Sequence, residues 1–219
     1  MINARLYFSK TFSARYMSHL DLMRCFTRAV RCSGLPVWYT EGFNSHLYIT
    51  FAMPLSLGCE SICETADIRL LADNPEPYMA QKINEGLPFG VEVFDAREAV
   101  MKPSMIAFAR YLIELEDSEL DGQELTDRLR ELIISPLMAQ KHMKKGGLRE
   151  VCLNDGIESS EIYAAGGRCF ADLLLAADSE HSVNPSLVLR ALFDKLGREP
   201  EHQLVKRTQI LTADRQNFV

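Results

Sequence analysis

A chain of 219 residues with 47% hydrophobic and 25% charged residues can bury one large core or two small ones, which excludes a disordered chain. Its net charge of −6 excludes general coating of a polyanion, and no apolar run approaches the roughly 18 residues of a membrane span. The charge is uneven, because residues 1–60 carry six Lys/Arg (5, 10, 15, 24, 28, 31) against three Asp/Glu (21, 41, 60), so any nucleic-acid contact is expected to be local.

The opening "MINARLYFSKTFSARY" lacks the apolar stretch of a signal peptide and reads as a first strand over 4–10, which implies a cytoplasmic protein. Residues 18–33 form a helix, with Ser18 as N-cap and Asp21 three residues on. Leu22, Cys25, Phe26, Ala29 and Ser33 fall on one side, and Gly34 and Pro36 stop it. Short strands follow at 36–40 and 47–52, separated by the loop "EGFNSH" (41–46), and another at 61–71. The minimal pattern leaves no place for the 47–52 strand, which either lengthens its predecessor or forms a hairpin. A helix over 75–86 and a strand over 90–96 close the first half.

The second half repeats that order. A strand at 106–115 and a helix at 121–134 precede an irregular basic connector at 136–147. Strands at 148–153 and 168–176 flank a polar loop. A helix at 184–197 has Asn184 as N-cap, Pro185 at its first position and Gly197 at its end, and a last strand spans 202–211. Strand, helix, strands, helix, strand is the βαββαβ order. The expected fold is α+β, with two tandem ferredoxin-like units, 1–98 and 105–219, each an antiparallel sheet with helices packed on one face.

On a helical wheel Asp21, Arg24, Arg28 and Arg31 lie within about 80° of one another, opposite the apolar side. A stripe of guanidinium groups reads either as a solvated face with Asp21 as counter-ion, or as a contact for phosphates or an acidic partner. The 41–46 loop sets Glu41, Phe43, Asn44 and His46 beside a strand. Phe43 there either stacks on a base or plugs the core edge. Tyr48 and Phe51 are open to the same two readings. Lys141, His142, Lys144, Lys145 and Arg149 make a basic, glycine-containing segment that either wraps a phosphate backbone or is a solvated linker.

The helix start, helix end, loop and following segment together resemble the bacterial radical SAM-linked protein family, a domain of unknown function. The residues carrying the resemblance are Ser18, His19, Leu20, Asp21, Arg24, Arg28, Arg31, Gly34, Pro36, Glu41, Gly42, Phe43, Asn44, Pro54, Leu55, Gly58, Glu60 and Ser61. It covers residues 3–71 clearly and the rest in outline. Ser45 stands where that family's loop usually has proline, and Cys32 where it has a basic residue. Members sit beside, or are fused to, a B12-binding-type radical SAM enzyme. The resemblance therefore implies an accessory role in RNA modification or translation, with a radical SAM protein as partner.

Catalytic and cofactor motifs are incomplete. "CESICETA" (59–66) carries two cysteines of a three-cysteine cluster loop, with Ala66 in the third place, and no zinc pattern occurs. The six cysteines, 25, 32, 59, 63, 152 and 169, read as buried thiols. No cofactor and no metal is expected. Three functions remain: a non-catalytic RNA-binding accessory module, an adaptor that docks a radical SAM partner without RNA, and a metal-independent RNA endonuclease using His19 or His46 as base. The binding set is Arg24, Arg28, Arg31, His19, Asp21, Glu41, Phe43, Asn44, His46, Lys144 and Lys145.

Overall fold

A computed structural model describes residues 1–73, 75, 78–142, 147–178 and 182–219. The protein is α+β, with a mainly antiparallel sheet arrangement and four α-helices among the described residues. It divides into two compact units. One comprises Met1–Met105 and Phe218–Val219, the other Ile106–Asn217.

In the first unit β1 (Ile2–Lys10) is central. It pairs antiparallel with β3 (Glu60–Leu70), Leu6 opposite Ala66, and with β4 (Val91–Glu98), Leu6 opposite Ala96. The short β2 (Ile49–Phe51) pairs antiparallel with the outer side of β3, so the order is β4-β1-β3-β2. Alternate β1 residues Ala4, Leu6 and Phe8 join Ile68 and Leu70 in a core closed by α1 (His19–Cys32) and α2 (Met79–Asn84). Phe8, Phe26 and Phe51 meet there, with ring centroids 4.8–5.9 Å apart.

The edge at 36–52 differs from the two expected strands. Val37 bridges Leu70, and two positions further along β3 Ile49 faces Ile68. Residues 38–48 are therefore an excursion out of a single edge strand, pinched by a Tyr39–Leu47 bridge. The helix expected at 75–86 is shorter, because Tyr78 is left-handed (φ 66°) and α2 begins only after it.

Gly90 fixes a tight approach. Its φ is +85°, and a Cβ there would lie 2.4 Å from the Thr11 carbonyl oxygen and 3.0 Å from Ala14 Cβ. Its own carbonyl accepts the Thr11 N–H at 2.7 Å. Gly90→Ala is expected to cost about 2 kcal/mol, from left-handed strain plus overpacking. Urea unfolding reads this as a lower midpoint at unchanged slope.

In the second unit β5 (Ile106–Glu116), β8 (Ile157–Ala165), β9 (Arg168–Ala176) and β10 (His202–Thr212) give the antiparallel order β10-β5-β9-β8. Helices α3 (Gly122–Ile134) and α4 (Pro185–Leu196) bury Leu125 and Leu129, and Val188 and Leu192. Asp121 and Asn184 cap them, and Gly197 ends α4 at φ 75°. Where a polar loop was expected, β8 is an edge strand. Of its side chains only Ile162 is buried, so its sequence carries little apolar alternation. Residues of the expected 136–147 connector form β6 (Met138–His142), which pairs antiparallel with β7 (Leu148–Cys152) in a separate two-stranded sheet. Lys144 and Lys145 lie outside the described residues.

Candidate nucleic-acid interface

Helix α1 starts at Ser18, whose side chain accepts the Asp21 N–H at 3.2 Å and donates to Asp21 Oδ2 at 2.7 Å. Arg24 Nη1 donates to Asp21 Oδ1 at 3.0 Å. The Ser18 hydroxyl first, and then Arg24, hold the Asp21 carboxyl below the usual carboxylate range. That stabilisation is present above the ordinary range and is lost as the pH falls through the depressed one. Ser18→Ala is expected to lower stability by about 1 kcal/mol at neutral pH, with a smaller difference in acid, where the Asp21 share has already gone. Thermal unfolding at the two pH values checks both.

The buried side of α1 is Leu22, Phe26, Ala29 and Val30. Val30 takes the place expected for Ser33. On the other side Arg24, Arg28 and Arg31 are exposed. With Met23, Thr27 and Cys32 they line a shallow groove of about 570 Å³. Arg24 shares Asp21; among the described residues no carboxylate is paired with Arg28 or Arg31. Two guanidinium forks thus remain available to an anion at i, i+3 spacing, which puts them on one face.

The 41–46 loop is the tip of the 38–48 excursion. Thr40 N donates to the His46 carbonyl at 2.8 Å, and His46 N donates to Thr40 Oγ1 at 3.1 Å. His46 Nδ1 lies 3.0 Å from both Thr40 Oγ1 and the Asn44 carbonyl oxygen. In the neutral ring a proton on Nδ1 serves that carbonyl and leaves Nε2 as an outward acceptor. Glu41 and Asn44 are exposed, and Phe43 is fully so, at 109%; it does not plug the core edge. Among the described residues no hydrogen bond, ion pair or ring contact joins this loop to the arginine face.

The remaining candidates separate. His19 lies at the start of α1 with its ring edge-on to Phe51, centroids 5.2 Å apart. Phe51 is bound into the core ring cluster, whereas Tyr48 and Trp38 stack on Arg69, whose guanidinium carbon lies 4.6 and 4.8 Å from their ring centroids. Among the described residues none of the six cysteines forms a disulfide. Of the six expected buried thiols only Cys59 and Cys169 are buried; Cys25, Cys63 and Cys152 are half-buried, and Cys32 is exposed, because it ends α1 on its solvent side. Among the described residues no group of three or more His, Cys, Asp or Glu is arranged to hold a metal. Among the described residues no helix is long and apolar enough to cross a membrane.

Sequence reasoning missed a second aromatic feature. Phe12 and Phe89 stack at 5.4 Å and 23° between planes, although 63% and 77% exposed. They are far apart in the chain, and neither lies in a periodic segment. The nearest available signal was the Gly90 that follows Phe89.

Residues 3–185 match the model of a family described as "Uncharacterized protein conserved in bacteria". No curated protein matches the sequence. Among solved structures, a chain in "Crystal Structure of a Cbf5-Nop10-Gar1 Complex" superposes with a TM-score of 0.50 at 8% identity, over 94% of this chain and 48% of that one. The protein thus spans about half the length of that solved chain, and the likeness is one of fold. An unknown protein from Galdieria sulphuraria aligns at 11% identity over 94% of this chain and 96% of that one, with a TM-score of 0.27.

Proposed function

The chain belongs to the DUF2344 family of bacterial conserved proteins, and from that premise we propose that it is a non-catalytic accessory module that binds RNA through the outer face of α1. The observation that carries this reading is the exposed Arg28 and Arg31, unpaired with any carboxylate among the described residues, beside Arg24 in one groove. Planar forks on one helix face suit phosphate oxygens, which accept two parallel N–H bonds. Asp21 restrains Arg24, so the charge available to a ligand is concentrated on the later turns. Phe43, fully exposed, supplies a ring for an unpaired base, and Asn44 and His46 supply hydrogen bonds beside it.

On this reading the two units are tandem ferredoxin-like folds, each with the strand order first described above. The partner is a radical SAM enzyme acting on the bound RNA, as implied by the motif resemblance over residues 18–61. The solved neighbour of similar fold comes from a complex titled Cbf5-Nop10-Gar1; its contribution here is the fold.

Purification from a native host, with and without ribonuclease, followed by sequencing of retained RNA, tests the proposal. A reproducible RNA set that disappears in the Arg28→Ala, Arg31→Ala double variant supports it. A partner enzyme retained at unit stoichiometry with no RNA, and lost in the same variant, would instead identify an adaptor whose arginines meet carboxylates.

A further inference from the structure

We propose that the turn at residues 12–16, together with Phe89, is a base-stacking platform for the same single-stranded RNA, an inference that rests on the RNA reading above. The turn is a 3-10 helix (Phe12–Tyr16) between β1 and α1. Phe12 holds a left-handed backbone, φ 53°, a conformation that a bulky residue adopts only where its surroundings impose it.

The surroundings that impose it are charged and buried. Glu60, 7% exposed, accepts the Phe12 N–H on Oε1 at 2.9 Å. Lys10, 1% exposed, donates from Nζ to the Met17 carbonyl at 2.8 Å and to that of Arg15 at 3.5 Å. Burial pushes the Lys10 ammonium below the ordinary lysine range, against the opposing pull of Glu64 and Cys59. Main-chain bonds from Thr11 to Gly90 (2.7 Å) and from Gly58 to Arg15 (2.9 Å) complete the clamp.

What this clamp holds in solvent is aromatic and cationic. The Phe12 and Phe89 rings are stacked and exposed. Beside Phe12 on the same turn, the Arg15 guanidinium lies 4.8 Å over the Tyr16 ring and donates to its hydroxyl at 2.8 Å. Tyr16 is 62% exposed. Among the described residues Arg15 has no carboxylate partner. A partner protein with acidic or aliphatic contacts would use the charge or the apolar area; flat π-faces on the same turn as a guanidinium that no carboxylate neutralises match a base and its phosphate together. A rigid display lowers the ordering cost of such a contact.

The test is fluorescence anisotropy with a labelled oligouridylate and with an abasic strand of the same length. The proteins are wild type, Phe12→Leu and Phe89→Leu. Leucine keeps apolar bulk and removes the π-face. Each variant is expected to bind oligouridylate about tenfold more weakly, with an unchanged salt slope because no phosphate contact is lost, and to bind the abasic strand as wild type does. Phe89 lies outside the strained turn, so its variant keeps the test open if Phe12→Leu fails to fold. Wild-type affinity for oligouridylate in Phe89→Leu, or equal wild-type affinity for the two strands, would overturn the platform and leave the arginine reading standing. Absence of RNA binding by wild type at low salt would remove both.

Discussion

Arg5→Met is expected to destabilise the protein by about 3–5 kcal/mol, the usual cost of breaking a buried ion pair from one side. Arg5 is completely buried. Its Nε and Nη2 meet Asp67 Oδ1 and Oδ2 at 2.7 and 2.8 Å, a bidentate pair across β1 and β3. Nη2 also donates to the Met101 carbonyl at 2.7 Å, and Nη1 to the Val219 main-chain oxygen at 2.8 Å. The Phe218 ring covers the group at 4.2 Å. Methionine would leave the Asp67 carboxylate without its cation and the Met101 carbonyl without its guanidinium donor, while the Val219 oxygen keeps only the Met101 N–H at 3.2 Å. Adding Asp67→Leu removes the stranded charge and is expected to recover much of the loss. Urea unfolding of the two singles and the double closes the cycle. A loss below about 1 kcal/mol in Arg5→Met would show that this cluster is not what fastens the last residues to the first unit.

The second large effect concerns binding. Replacing Arg24, Arg28 and Arg31 together by alanine is expected to weaken single-stranded RNA binding about a hundredfold. The figure follows from about 1 kcal/mol for each exposed charge-assisted contact, less than a buried one would give. Stability should change little, since these side chains are exposed and only Arg24 loses an ion pair, a solvent-screened one of the i,i+3 kind. Lysine at the three positions keeps the charge but not the fork, so intermediate affinity is expected. Anisotropy titration of the alanine and lysine sets against wild type separates geometry from charge.

Much of the fold is legible because local chemistry and tertiary packing agree. Ser18 with Asp21 announces the start of α1, and Asn184-Pro185 and Gly197 bound α4. The arginine face follows from helical period alone, since Leu22, Phe26 and Ala29 can bury only one side. Less legible are elements whose identity comes from distant neighbours. In β8 the edge position permits polar residues on nearly every site, so periodicity is silent. The edge at 36–52 looks like two strands, because both parts have strand-forming residues; the resumed pairing of Ile49 with Ile68 reveals one interrupted strand.

The candidate site divides in the same way. The loop position of Phe43 is legible, but its pattern leaves stacking and core-plugging equally open until the structure shows it exposed, and the Phe12–Phe89 stack depends on the sign of one backbone angle and on a meeting of distant segments. The burial of Arg5 is hidden too. In an alternating strand an arginine reads as solvent-facing, whereas here Met101, Phe218 and Val219, distant in the chain, contact its guanidinium. Lys10 and Glu60 are similar: their carbonyl and N–H partners come from the turn, which carries no periodic pattern of its own.

The most direct measurement is the salt dependence of oligouridylate binding for wild type and for the triple alanine variant of Arg24, Arg28 and Arg31. Each phosphate contact on a single strand contributes a slope of about −0.7 in log K against log salt. Wild-type binding that weakens with salt, with a slope shallower by about 2 in the variant, is the predicted result. Identical slopes in the two proteins, or no binding by wild type at low salt, would contradict the assignment of α1 as the phosphate-binding face.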